Sequence, residues 1–288
     1  MYSSPFEYHS PATMADALAL LAKHGDEAKI LTGGQSLVPV MKLRLAQPSH
    51  LIDLRKIPGL NGIRESGGSL QIGGMSTHDA VGNSPLVKQK LPMAAEAAML
   101  IGDRQVRNLG TIGGSIAHAD PSADWPAVMT ALDASVVIAG PQGERTQKLS
   151  DFIVGPLTTT LTAGEILTQI NVPLPGPKTG GAYEKLPHPA SRFAIVGVAV
   201  EISLGANGSI AWARIAITGL ASKVFRATAV EQALQGKKAD AAKAAAAHAT
   251  DGLELRDDPT GSPAYRASLA AIYTERAIIR ALARAASK

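Results

Sequence analysis

Cysteine is absent from all 288 residues, so the chain holds no disulfide, no thiolate nucleophile and no cysteine-ligated iron–sulfur cluster. Aromatic residues make up only 4%, too few for a base-stacking platform, and Lys and Arg are dispersed without a basic block, so nucleic-acid binding is not expected. No apolar run approaches the ~20 residues that span a bilayer. The opening stretch MYSSPFEYHSPATMADAL lacks the basic and apolar regions of a signal peptide. These absences predict no stable membrane insertion and a cytoplasmic location. The 7 histidines are scattered, at positions 9, 24, 50, 78, 118, 188 and 248. Without HExxH or a carboxylate–histidine cluster along the sequence, a protein-built metal site is not expected.

What is present is the balance of a globular protein, 45% hydrophobic and 18% charged. A net charge of +4 suits an anionic cofactor or an acidic partner. Ser10 as N-cap and Pro11 at the first helical position start a helix with Met14, Leu18 and Leu21 on one face, closed by Gly25. A strand Lys29–Thr32 leads into Gly33-Gly34, a short helix and a second strand in HLIDLRKI. A hairpin turns at Gly67-Gly68, helices follow at Pro92–Ile101 and Asp124–Ala134, and His78 with Asp79 marks a further helix start. ASVVIAGPQGERTQKL reads as a hairpin and GEILTQINVPL as a strand.

The composition then shifts. PLPGPKTGG, residues 173 to 181, reads as a domain crossing, which divides the chain into 1–175 and 176–288. Beyond it, alternating apolar residues around Asn207-Gly208 predict a hairpin. Helices are expected at Phe225–Leu234, at Ala239–His248 and in a long last segment capped by Ser262 and Pro263. Tyr265, Leu269, Ile272 and Ile279 define the apolar face of that last helix. Arg276 falls among them and calls for an acidic or carbonyl partner, whereas Arg284 and Lys288 fit a solvated end. The second unit is therefore a small antiparallel sheet with helices on one face.

Two segments carry a chemical signal. ILTGGQSLVPVMKLRLA and RNLGTIGGSIAHADPSADWPA each run from hydrophobic sequence into Gly-Gly and then into polar residues. Glycine lets backbone N–H groups approach a ligand without a Cβ in the way, and consecutive N–H groups make an anion cradle. Gly33, Gly34, Gln35 and Ser36 form one such row, and Thr111, Ile112, Gly113, Gly114 and Ser115 another. Two cradles suit an extended diphosphate. Neither turn is GxGxxG or a P-loop, and ordinary tight turns would explain either alone. Spacing and composition stop at an anion-binding α+β protein.

The same two segments closely resemble the signature segments of the FAD-binding medium subunits of xanthine-oxidase-type molybdenum hydroxylases, the family that includes the carbon monoxide dehydrogenase medium subunit. FEYHSPATMADALALLAKHG, YEKL at 183 to 186 and the tail GSPAYRASLAAIYTERAI match in order and spacing. The resemblance implies an α+β fold: a two-lobed FAD-binding domain of the vanillyl-alcohol-oxidase type followed by a C-terminal antiparallel sheet with helices. It implies non-covalent FAD, its pyrophosphate wrapped by Thr32, Gly33, Gly34, Gln35 and Ser36, with Thr111, Ile112, Gly113, Gly114 and Ser115 packed on diphosphate and flavin. Asp124 would bind ribityl or ribose hydroxyls, and Lys185 would sit at the polar edge of the flavin ring, where a cation stabilises reduced flavin. Phe193 stands where relatives carry tyrosine, Gln35 where some carry histidine and Ser115 where some carry asparagine. His118 and Asp120 in HADP read as turn or ligand contacts, with Asp120 capping a helix near Pro121.

Partners are also implied: a large molybdopterin subunit and a small 2Fe–2S subunit, assembled as a dimer of heterotrimers. No catalytic side chain is assigned. The expected role is electron transfer from the partner's clusters through FAD to an external acceptor. Two rival readings are a self-sufficient flavin oxidase with its own small substrate and a non-catalytic anion-binding module.

Overall fold

The structure, a computed structural model, describes residues 2–288. The first lobe is a parallel sheet of β1 (Glu7–His9), β2 (Ala28–Leu31) and β3 (His50–Asp53), with β3 in the centre. Parallel neighbours need crossovers, and α1 (Met14–His24) and α2 (Leu37–Lys42) lie in those connections. Thr13, not Ser10, caps α1: its side chain accepts from the Asp16 N–H, and the helix begins only at Met14, four residues beyond Ser10. Gly25 closes α1 as expected, at φ 50°.

The second lobe is an antiparallel sheet. β4 (Ile63–Ser66) and β5 (Ser69–Gly73) form the expected hairpin, β6 (Ser135–Gly140) and β7 (Gly143–Lys148) the next, and the strand Ile166–Pro173 lies between β5 and β6. Into its core pack α3 (His78–Asn83), α4 (Pro85–Lys90), α5 (Pro92–Leu100), α7 (Ile112–His118) and α8 (Asp124–Ala131), with α6 (Arg104–Leu109) resting on α3. α8 ends three residues earlier than its sequence suggests, turning at Asp133 with φ 54°. Trp125 is fully buried in this core and donates to Nδ1 of His78 at 2.9 Å.

The C-terminal sheet runs Thr179–Pro187, Ala194–Leu204, Ile210–Thr218 and Phe225–Arg226 in order, all antiparallel. Residues 225 and 226 are thus a strand, and the helix begins only at Thr228. The alanine-rich stretch splits into a 3-10 turn, Ala239–Ala241, and a short helix, Ala242–Ala246. The sheet is buried on both faces. Val198, Val200, Ile215 and Ile217 meet these helices and the last one, whereas the smaller Ala199 and Ala216 share the core of the second lobe. Small side chains there let α8 lie close to the strands.

The last helix, Pro263–Ala286, starts on Ser262 as read from sequence, but its buried face differs. Tyr265, Ile272 and Ile279 are exposed, and the buried stripe is Arg266, Leu269, Ala270, Ala277, Ile278, Ala281, Leu282 and Ala285. Close approach selects alanine here. A Cβ on Gly180 would stand 2.2 Å from the Ala281 carbonyl oxygen, so the helix lies almost on the strand backbone. Arg276 is exposed and stacks over Tyr273 at 5.2 Å, needing no acid. Arg284 is not free either. It pairs with Glu96 of α5 and donates to the Gly181 carbonyl at 2.7 Å, and Arg280 joins Glu96 and Glu184, so α5 is tied to the last helix.

Candidate functional site

A cavity of about 740 Å³ opens between the two lobes and the turn at 188–193, within the range of cofactor clefts, roughly 300–1,000 Å³. Thr32, Gly33, Gly34, Gln35 and Ser36 line one wall. The N–H groups of Gly33, Gly34, Gln35 and Ser36 donate to no protein acceptor among the described residues. Gly34 sits at φ 71°, a conformation glycine adopts without strain. Partly buried N–H groups need an acceptor, and a row of four beside the cavity provides an anion cradle.

The second Gly-Gly turn works differently. The N–H of Ile112 donates to Ser76, that of Gly113 to Gly74, that of Gly114 to the Thr111 hydroxyl and that of Ser115 to the Thr111 carbonyl. The expected second row of free donors is therefore spent inside the protein. Ile112 is fully buried and does not reach the cavity. Thr111, Gly113, Gly114 and Ser115 do line it.

The glycines of both turns serve loop-to-loop contact. A Cβ on Gly33 would lie 2.1 Å from the Leu109 carbonyl oxygen, one on Gly113 2.6 Å from that of Gly74, and one on Gly114 2.6 Å from the Thr32 hydroxyl. The Thr111 hydroxyl donates to that of Thr32 at 3.1 Å. Without Gly33 and Gly114 the two loops could not touch and the free donors of the first would lose their support, whereas Gly113 seats the second loop on Gly74. Gly74 belongs to another of the chain's Gly-Gly pairs, in QIGGM, within the segment that reads as a hairpin from sequence. Its repetition of the Gly-Gly signature was the available clue.

Asp124 lines the cavity although it is only 4% exposed. Its Oδ1 accepts from the Tyr183 hydroxyl at 2.5 Å and its Oδ2 from Lys185 at 2.8 Å. Burial pushes this carboxyl up, opposed by the adjacent ammonium and hydrogen bonds. Each carboxylate oxygen has two acceptor sites, so Asp124 retains capacity for a ligand hydroxyl. Lys185 does not line the cavity. Its ammonium is buried against Asp124 and the Leu100 carbonyl, so it acts on the cavity through Asp124.

Phe193 lines the cavity from the turn Ser191–Phe193, itself braced by Arg192 N–H to the His188 carbonyl at 2.8 Å. His118 and Asp120 also line it. Asp120 accepts from the Ser122 N–H at 2.8 Å, a local turn, and does not cap α8, whose first residue follows Ala123. Sequence reasoning missed two cavity cations, Lys29 and Arg192, because isolated basic residues in a basic chain carry no pattern. His78 stands behind the second loop, where a Cβ on Gly110 would meet its ring at 2.7 Å. Burial and Arg107 hold its pKa down to about 4, so it is neutral and accepts from Trp125.

The arrangement fits a long anionic ligand with hydroxyls: free amides and two cations for phosphate, Asp120 and Asp124 for hydroxyls, and apolar walls at Leu161, Ile166 and Phe193. Comparison with known proteins agrees. Residues 4–175 match the model of the FAD binding domain in molybdopterin dehydrogenase, and residues 181–281 that of the CO dehydrogenase flavoprotein C-terminal domain. The carbon monoxide dehydrogenase medium chain of Hydrogenophaga pseudoflava is 43% identical over 98% of both chains. The nicotine 6-hydroxylase medium subunit of Paenarthrobacter nicotinovorans is 40% identical, covering 96% of this chain and 97% of that one. A solved carbon monoxide dehydrogenase from H. pseudoflava superposes with a TM-score of 0.95 at 44% identity, covering 99% of each chain. Quinoline 2-oxidoreductase from Pseudomonas putida 86 superposes at 0.93 with 35% identity over 99% of each. With both halves matched in order and the full length covered, the chain belongs to the family of FAD-binding medium subunits of molybdenum-containing dehydrogenases and hydroxylases.

Proposed function

We propose that this chain is the electron-transfer subunit of a molybdenum hydroxylase and holds FAD non-covalently in the cavity between its lobes. The row of four unpartnered N–H groups from Gly33 to Ser36 carries the reading. It gives the pyrophosphate charge-assisted hydrogen bonds, with Thr32 alongside. Thr111, Gly113, Gly114 and Ser115 form the floor that holds this row in place, and Ile112 anchors that floor in the core. Asp124 accepts from a sugar or ribityl hydroxyl, Lys185 holds that carboxyl in place through its ion pair, and Phe193 offers a ring face to the flavin. When bound, FAD couples single-electron carriers to a two-electron acceptor, a chemistry the cofactor supplies.

The absence of cysteine means that electrons must reach this site from clusters on another chain. Its relatives are medium chains of multi-subunit enzymes. We infer the same company here: a large molybdopterin subunit and a small 2Fe–2S subunit, two copies of each trimer forming the assembly, located in the cytoplasm. No helix among the described residues is long and apolar enough to cross a membrane. Residues 1–175 would serve as the cofactor-binding unit and 176–288 as the unit that closes the cavity with the 188–193 turn.

Flavin content tests the reading. The purified chain should retain FAD that acid precipitation releases intact, and the 2Fe–2S partner, once reduced, should bleach it. Bleaching by a small organic substrate with no second chain present would favour the self-sufficient oxidase instead.

A further inference from the structure

A second site lies behind the first lobe. The parallel register sets Glu7 beside His50 and His9 beside Ile52, which brings Glu7, His9 and His50 to one face of the sheet. α1 ends over that face, and its last residue, His24, stacks on His50 with ring centroids 3.6 Å apart. Residues 15 and 26 positions apart along the chain thus converge. One ring nitrogen from each of His9, His24 and His50 falls within a 4.8 Å cluster.

The distances suit a metal. His9 Nε2 is 3.1 Å from His50 Nδ1, and Glu7 Oε2 is 3.5 Å from His50 Nδ1 and 3.9 Å from His9 Nε2. Ligands about 2.0–2.1 Å from a tetrahedral zinc ion stand about 3.3–3.4 Å from one another. The His24 Nε2 atom is buried and has no hydrogen-bond partner, an unmet polar group that a structural role alone would leave at a cost. We propose that Glu7, His9, His24 and His50 form a zinc-class site that clamps β1, α1 and β3 together. Three imidazoles and one carboxylate are borderline donors suited to Zn2+, and nearly closed coordination assigns the ion a structural role. The clamp adjoins the cofactor cavity, because Gly25 and Asp26, directly after His24, line it.

The test uses the untagged full-length chain, stripped with a chelator and then titrated with Zn2+ against a fluorescent competitor. One tight equivalent is expected, with a rise in melting temperature. His9→Gln and His50→Gln should each weaken binding at least ~10-fold, the loss that even outer-shell partners of a metal produce. Far-UV circular dichroism of each variant checks that the lobe stays folded, and Glu7→Gln, on an exposed side chain, supplies a variant with little risk to folding. Loss of affinity in folded variants supports the site. Absence of a tight equivalent in the wild type, or unchanged affinity in all three variants, overturns it and leaves a stacked imidazole cluster.

Discussion

Replacing Gly33 by alanine separates the two jobs of the glycine turns. The added Cβ would lie 2.1 Å from the Leu109 carbonyl oxygen and 2.7 Å from the Gly110 Cα, both backbone atoms that cannot rotate away. An ordinary C···O contact begins near about 3.3 Å, so the two loops must part by roughly 1.2 Å. Overpacking of this kind costs about 1–3 kcal/mol of stability. The same movement displaces the four free N–H groups from the geometry they share with the floor at Thr111 and Gly114. Losing two charge-assisted hydrogen bonds at about 1.5–2 kcal/mol each weakens FAD binding by a few hundredfold, roughly.

Two further variants make the comparison decisive. Gly113→Ala meets the Gly74 carbonyl oxygen at 2.6 Å but alters a loop whose N–H groups are already spent, so it should lower stability similarly and FAD affinity much less. Gly176→Ala meets nothing within 4 Å and should change neither. The assay is fluorescence-monitored FAD titration of apoprotein, paired with urea unfolding of the same samples. Wild-type FAD affinity in Gly33→Ala, or equal affinity losses in the Gly33 and Gly113 variants, would refute the assignment of the first loop as the cradle.

Other outcomes follow from the same structure. Asp124→Asn leaves the Lys185 ammonium buried without its counter-charge and should cost about 3–5 kcal/mol in urea unfolding; a loss below about 1 kcal/mol would mean that the lysine finds solvent. His78 is held at about 4, below its ordinary 6.5, so the unfolded chain binds more protons between those values and this contribution to stability is lost as pH falls from 6.5 toward 4. His78→Gln should therefore gain about 2 kcal/mol relative to wild type between pH 7 and pH 5, read from paired urea midpoints. Glu201, raised by burial to about 7, has the opposite sign, losing stability as pH rises from its ordinary 4.5 through 7, and Glu201→Gln should remove that slope. Glu96→Gln cuts a half-exposed pairing with Arg280 and Arg284 and should cost only about 1 kcal/mol, less at high salt.

Much of the fold was legible because local chemistry wrote it. Gly25 ended α1, Ser262 began the last helix, and the hairpins at Gly67-Gly68 and Asn207-Gly208 fell where turn residues stood. The errors have a common source. Large apolar residues alone mislead about the buried face of the last helix: Leu269 is buried, but Tyr265, Ile272 and Ile279 are not, and Ala281 and Ala285 sit where the strand backbone at Gly180 comes closest. Arg284 read as solvated because Glu96 is far away in sequence.

By itself, then, the sequence determined where the chain turns, that it carries no cluster-binding thiolate, and that two glycine elbows flank a phosphate-sized chemistry. Turn and cap preferences act within about four residues, so they survive as pattern. Tertiary structure alone decided which elbow keeps its N–H groups free, that Lys185 spends its charge on Asp124, and that His9, His24 and His50 meet. Those outcomes depend on separations of a few ångströms between residues well apart along the chain, and only tertiary packing, of elements within a lobe or of one lobe on another, sets such distances.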